Sequence, residues 1–110
     1  MARRAALIAG LIFGVAGTAS AAQHPCAADA GKQAKQLLLF HTQNDDRAEV
    51  ADAVKVLPAL KNPANPAQRF DVLEVMGYVY KGQYRMRMIY AQTPGSCVLM
   101  GQEIMELASL

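Results

Sequence analysis

The strongest constraint on the fold lies after Arg69, where two turn motifs separate three segments of about ten residues each. The motifs are Lys81-Gly82 and Pro94-Gly95. Apolar and polar residues alternate along the segments, which is typical of strands that bury one face. The sequence therefore predicts an antiparallel meander of three strands over residues 69–106.

A two-residue turn at Lys81-Gly82 would place Tyr80 opposite Gln83 and set the pairing of the first two strands. Counting back along the strands gives one apolar face with the pairs Val79–Tyr84, Gly77–Met86, Val75–Met88 and Leu73–Tyr90. The second turn places Leu99 beside Tyr90 and Gly101 beside Met88 on the same face. Such a face must pack against another element so that its apolar side chains are removed from water.

Glu103 would fall on this apolar face if the third strand were regular. A buried carboxylate without a partner is costly, whereas one extra residue in the strand would turn Glu103 outward. We therefore expect a β-bulge near Gly101.

The segment from Pro25 to about Thr42 has the pattern of an amphipathic helix, with apolar and small residues at spacings of three and four. Pro25 suits the first turn of a helix, and Asp29 lies near the positive end of its dipole. Asn44-Asp45-Asp46 is expected to end the helix.

Residues 47–57 fit two structures. Val50, Val54 and Leu57 have helical spacing, whereas residues 54–56 alternate as in a strand that stops at Pro58. We predict a strand, followed by a loop over residues 61–67 because its two Asn-Pro pairs favour extended or turn geometry.

These elements predict an α+β domain in which an N-terminal helix packs on a curled antiparallel sheet of three to four strands. This order is similar to that of cystatin-like folds. The similarity concerns element order and carries no activity or site residue to this chain. A helix at residues 47–57 would instead give two helices and three strands, similar to small periplasmic assembly factors and inhibitor modules.

The first 21 residues have the pattern of a secretory signal peptide. Arg3 and Arg4 precede an apolar run, and the small residues Ala19 and Ala21 suit a signal peptidase. The apolar run is shorter than the roughly 20 residues that a membrane-spanning helix needs. We expect cleavage after Ala21 or one residue later. The product is a single domain over residues 22–110, periplasmic or secreted, without a membrane span.

Charge and motif content narrow the function classes. After loss of Arg3 and Arg4, nine Lys and Arg remain against nine Asp and Glu. A near-neutral chain lacks the clustered cations that nucleic-acid binding requires, so no nucleic-acid partner is predicted. The sequence shows no nucleophile with its base, no paired carboxylates and no zinc-ligand spacing. It predicts no enzyme activity and no cofactor.

Cys26 and Cys97 are the two cysteines of the chain. In an oxidising compartment, an even pair in a small domain is typical of a disulfide. Closing a loop of about 70 residues should stabilise the domain by about 4 kcal/mol in the chain-entropy model. The alternatives are a redox-active pair, a metal site or an intermolecular bridge, and no Cys-x-x-Cys spacing supports them.

The other face of the predicted meander is neither clearly solvated nor clearly core, and its candidate binding residues are Tyr78, Tyr80, Arg85, Arg87 and Glu74. The predicted register places Tyr78 opposite Arg85 and Met76 opposite Arg87. The guanidinium groups would then stack on aromatic rings and pair with Glu74.

This face is either an ordinary solvent-facing sheet or a binding surface. The second interpretation rests on its composition, since Tyr, Met and Arg are enriched where proteins meet. The sequence thus predicts a small exported binding module whose partner is another envelope protein or another component of the envelope. The module itself is expected to be a monomer or a weak homodimer.

Met86 and Met88 suggest an alternative, a periplasmic protein that binds Cu(I). Two thioethers on one side of a strand are soft ligands of the kind that Cu(I) prefers. However, the predicted register turns both side chains toward the helix, where methionine commonly fills a core. Copper would also need a third ligand, and His24 and His41 are the two histidines of the chain.

Overall fold

The structure is a computed structural model that describes residues 23–109. It contains one helix, α1 (Ala27–His41), and four strands, β1 (Ala48–Asn62), β2 (Asn65–Val79), β3 (Gly82–Ala91) and β4 (Leu99–Ser109). The strands form an open antiparallel sheet in the order β1-β2-β3-β4. The predicted α+β class, with a helix followed by a four-strand sheet, is confirmed.

The predicted signal peptide and its cleavage site lie outside the described residues. Within residues 23–109, no helix has the length and apolar character needed to cross a membrane.

Helix α1 packs on the sheet through one narrow stripe. Its buried residues are Ala27, Ala30, Ala34 and Leu38. They follow the spacing of three and four that the sequence shows, and the three alanines allow the helix to approach the strands closely. After His41 the chain turns away through Gln43 and Asn44, whose φ angles are 58° and 62°.

Helix α1 approaches the sheet closely at Gly77 in β2. A Cβ atom at this position would lie 3.0 Å from Leu38 Cδ2 and 2.7 Å from Met86 Cε. Glycine is needed here because these distances are shorter than ordinary van der Waals contacts.

Strand β1 confirms the extended conformation predicted for residues 47–57, but it continues past Pro58 to Asn62. The prediction of a loop over residues 61–67 is wrong. The two strands are joined by a tight turn between Asn62 and Asn65. Both asparagine side chains accept hydrogen bonds from backbone N–H groups two residues on, which stabilises the turn. Pro58 is tolerated because β1 is an edge strand whose register shifts between Leu57 and Leu60.

The pairing of β2 with β3 corrects the predicted register. The turn comprises Tyr80 and Lys81, so Val79 lies opposite Gly82, and every pair is displaced by two residues from the prediction. The displacement arises because Tyr80 itself adopts a positive φ of 53°, although glycine is the residue that favours this conformation. Since side chains alternate with a period of two, each still lies on its predicted face.

The pairing of β3 with β4 is partly as predicted. Leu99 lies opposite Tyr90, but Gly101 lies opposite Ile89 instead of Met88. Met100 is the extra residue between these pairs. The bulge expected near Gly101 is therefore confirmed.

This bulge reverses the faces of the following residues. Glu103 lies opposite Arg87, away from the helix, and Ile104 lies opposite Met86 and packs against the core. In a regular strand without the bulge, Ile104 would point away from the helix.

The core lies between α1 and the apolar face of β2 and β3. Its fully buried large side chains are Tyr90, Leu38, Leu73, Met86, Met88 and Val75. The hydroxyl of Tyr90 donates a hydrogen bond of 2.7 Å to Asp29 Oδ2, which joins the first turn of α1 to β3. Burial, together with this contact, raises the pKa of Tyr90 above its ordinary value and keeps the phenol neutral.

The predicted disulfide between Cys26 and Cys97 is present. It connects the residue that precedes α1 to the segment between β3 and β4. Cys26 is buried, whereas Cys97 lies at the surface.

Candidate functional site

The face of the sheet that points away from α1 is called the outer face here. Its residues on the three strands β2, β3 and β4 are Val72, Glu74, Met76, Tyr78, Arg85, Arg87, Ile89, Glu103 and Met105. Charged side chains lie at its centre, and apolar side chains surround them. The bulge in β4 completes this pattern, because it adds Glu103 and Met105.

Glu74 lies between the two arginines of β3. Arg87 Nε donates a hydrogen bond of 3.0 Å to Glu74 Oε2, and Arg85 Nε lies 3.9 Å from the same oxygen. Glu74 is largely buried, so the nearby guanidinium groups offset the cost of removing its carboxylate from water. Two cations therefore share one carboxylate.

Arg85 is the less completely paired of the two arginines. Its Nη2 approaches Met105 Sδ at 3.6 Å, and a thioether is a weak acceptor. Its buried Nε has no hydrogen-bond acceptor among the described residues. Arg85 is therefore the incompletely hydrogen-bonded cation at the centre of the outer face.

The predicted opposition of Tyr78 to Arg85, and of Met76 to Arg87, is wrong. Tyr78 lies between Glu49 of β1 and Gln83 of β3, while Arg85 lies opposite Met76. The two-residue displacement of the β2–β3 turn is the cause. Tyr78 remains on the outer face with an exposed ring.

Tyr80 does not lie on the outer face. It occupies the β2–β3 turn, where the Arg47 guanidinium lies 4.9 Å and the Lys81 ammonium 5.4 Å from the centre of its ring. Asp45 binds the same Arg47 at 2.7 Å. These side-chain hydrogen bonds are the main reason why the pKa of Asp45 falls from 3.8 to about 2. Tyr80 thus belongs to a separate polar cluster at the end of the sheet.

A groove of about 360 Å³ extends the outer face toward β1. Leu57, Leu60 and Val72 form its apolar wall with Ile89, and Arg87 lies beside them. Val72 is buried although it points away from the helix. This groove was not predicted, because the predicted first strand ended at Pro58. Leu60, which lies beyond Pro58, forms part of the wall.

A larger cavity of about 550 Å³ lies beside the disulfide, at the start of α1. His24 Nε2 donates to Asp71 Oδ2 at 2.8 Å, and His24 Nδ1 accepts a hydrogen bond of 2.9 Å from the backbone N–H of Cys26. Gln92 Nε2 donates to Asp71 Oδ1 at 2.8 Å. Both imidazole nitrogens are engaged, so this arrangement anchors the chain before α1 to β2. No pattern in the sequence indicated this anchor.

The anchor has an expected pH dependence. Hydrogen bonds from Gln92 and then from His24 lower the pKa of Asp71 below its ordinary value of 3.8, although burial opposes them. Since the pKa is lower in the folded chain, the stabilisation is complete above 3.8 and is lost as pH falls through the folded pKa. Urea unfolding between about pH 6 and pH 3 should show a smaller loss of stability for Asp71→Asn than for the unmodified protein. Equal losses in both proteins would contradict this role.

Met86 and Met88 are both fully buried and belong to the hydrophobic core. Their thioethers therefore pack against α1. Residues 23–109 contain no group of three or more His, Cys, Asp or Glu side chains arranged to hold a metal ion. Core packing accounts for the placement of these methionines, and no observation favours the Cu(I) alternative.

No protein-family model matches this chain, and neither a curated protein nor a solved structure is significantly similar to it.

Proposed function

We propose that this chain is a small exported, non-enzymatic module that binds another envelope protein through the outer face of its sheet. The disulfide between Cys26 and Cys97 supports export, because it is compatible with an oxidising compartment. The composition of the outer face supports binding, since Tyr, Met and Arg are enriched at protein interfaces.

The incomplete pairing of Arg85 carries the proposal. Among the described residues, its guanidinium shares Glu74 with Arg87 and otherwise reaches only the sulfur of Met105. A partner carboxylate would supply the missing acceptor and form charge-assisted hydrogen bonds. The matching surface is therefore an acidic group that lies among apolar side chains.

Exposed apolar side chains beside Arg85 complete this surface. Tyr78 and Met105 are both exposed, and the adjoining groove offers an apolar wall at Leu60 and Val72. Arginine and aromatic anchors surrounded by a rim that excludes water are typical of the residues that dominate binding energy. Tyr80 is not required, because it lies at the turn.

The substitution Arg85→Met tests the proposal. It removes the charge but keeps an apolar stem, and Glu74 retains its 3.0 Å contact with Arg87, so the melting temperature should change little. Loss of an interfacial arginine should weaken partner binding by about tenfold or more. Arg69→Met is the matched control, because it makes the same change on an exposed residue of β2 that lies off the outer face.

A photocrosslinking amino acid at position 78 provides the readout in cells of the native host. We expect a discrete crosslinked product with an envelope protein, diminished by Arg85→Met and preserved by Arg69→Met. The same amino acid at position 40, on the opposite side of the sheet, should not give this product. A product that forms equally from positions 78 and 40, or that survives Arg85→Met, would contradict the proposal.

A further inference from the structure

The two edges of the open sheet differ in how well they are protected against pairing with another strand. Edge strand β1 contains Pro58, two lysines and three shifts of register along its length. Proline, lysine and bulges are features that discourage edge-to-edge association. Strand β1 is therefore a poor template for a further strand.

Strand β4 is less protected, although its pairing with β3 also shifts register near each end, at Met100 and at Leu107. It contains no proline, lysine or arginine, and it pairs with β3 without a shift from Gly101 to Glu106. Within residues 23–109, no strand pairs with its other side. This side presents backbone N–H and C=O groups that an additional strand would satisfy.

Apolar side chains lie on β4 and above it. Met105 and Leu107 are exposed on the strand. On the helix side, Phe40 is 84% exposed and lines a small cavity together with Gln102 of β4. A strand added to β4 would therefore meet apolar surface on both faces of the sheet.

We propose that β4 pairs with β4 of a second copy of this chain, antiparallel and about a two-fold axis at Met105. An antiparallel pair of identical strands is an isologous interface, so it closes as a dimer and requires one surface alone. The two four-strand sheets then form one continuous sheet, with the Met105 side chains in contact at its centre.

The charges of β4 are compatible with this register. Glu103 and Glu106 are its charged residues, and within each copy Glu103 lies opposite Arg87 of β3. An axis at Glu103 or at Glu106 would place that carboxylate directly opposite its counterpart in the other copy, which is unfavourable. An axis at Met105 places Glu106 opposite Ile104 and Glu103 opposite Leu107, so no two carboxylates face each other.

The dimer should be weak. One short strand pair buries less surface than the roughly 1,200–2,000 Å² of a stable specific interface. We expect a dissociation constant between about 1 µM and 1 mM.

Sedimentation equilibrium of the oxidised mature protein, from about 10 µM to 1 mM, tests the proposal over this range of affinity. The substitution Met105→Lys places two ammonium groups at the axis and should weaken association by at least about tenfold. Val56→Lys is the matched control on the opposite edge, because Met105 and Val56 are 51% and 55% exposed. It should leave association unchanged.

Hydrogen exchange of the unmodified protein gives a second readout that does not depend on folding of a variant. Amides of residues 101–106 should exchange more slowly as concentration rises, while those of β1 should not change. A protein that stays monomeric up to about 1 mM would overturn the proposal. Protection that appears on β1 would also overturn it. Both measurements use the purified protein without a partner, so their result is separable from the test of partner binding in cells.

Discussion

Replacing both Cys26 and Cys97 by serine should lower the free energy of unfolding by about 4 kcal/mol. The disulfide joins residues 71 positions apart, and removing it restores the chain entropy of a long loop to the unfolded state. Small domains are typically stable by about 5–15 kcal/mol, so the serine variant should be close to unfolding at 37 °C.

Urea unfolding of the oxidised protein and the double serine variant measures this effect. Ser96→Ala is a suitable control, because it changes the same connection between β3 and β4 and removes one exposed hydrogen bond to Thr93. Its expected effect is below about 0.5 kcal/mol. A loss of less than about 1 kcal/mol in the double variant would show that loop closure contributes little to this fold.

Leu38→Ala should destabilise the protein by about 3 kcal/mol. Leu38 is completely buried and lies against the part of the sheet where Gly77 allows close packing. The substitution removes three carbon atoms from the core and leaves a cavity that the surrounding strands would fill only in part.

Phe40→Ala is the matched control for Leu38→Ala on the same helix. Because the Phe40 side chain is 84% exposed, its truncation should change stability by less than about 0.5 kcal/mol. Thermal and urea unfolding should therefore separate the two variants clearly. Equal effects would indicate that α1 is not packed on the sheet through Leu38.

The outer face shows how far the candidate site could be predicted. Alternation along β2 and β3 placed Glu74, Tyr78, Arg85 and Arg87 on one face, and a register error of two residues did not change this result. The pairing partners were wrong because a local motif does not determine which residues of a turn take a positive φ. Tyr80 takes it here, which moves this residue off the outer face.

The groove and the anchor at His24 could not be predicted, because both depend on contacts between residues far apart in the sequence. The groove beside Val72 depends on β1 continuing past Pro58, which is possible because β1 lies at an edge of the sheet. The anchor between His24 and Asp71 joins residues 47 positions apart. Neither spacing nor periodicity indicates such a contact.

The order of elements, the apolar face of the sheet, the disulfide and the bulge that turns Glu103 outward could all be predicted from the amino-acid sequence. These features follow from local periodicity, from a single possible cysteine pairing and from the cost of burying a carboxylate. The strand register, the incomplete pairing of Arg85 and the difference between the two sheet edges became visible in the folded chain alone. These depend on which backbone groups meet across strands, and many registers preserve the same alternation of faces.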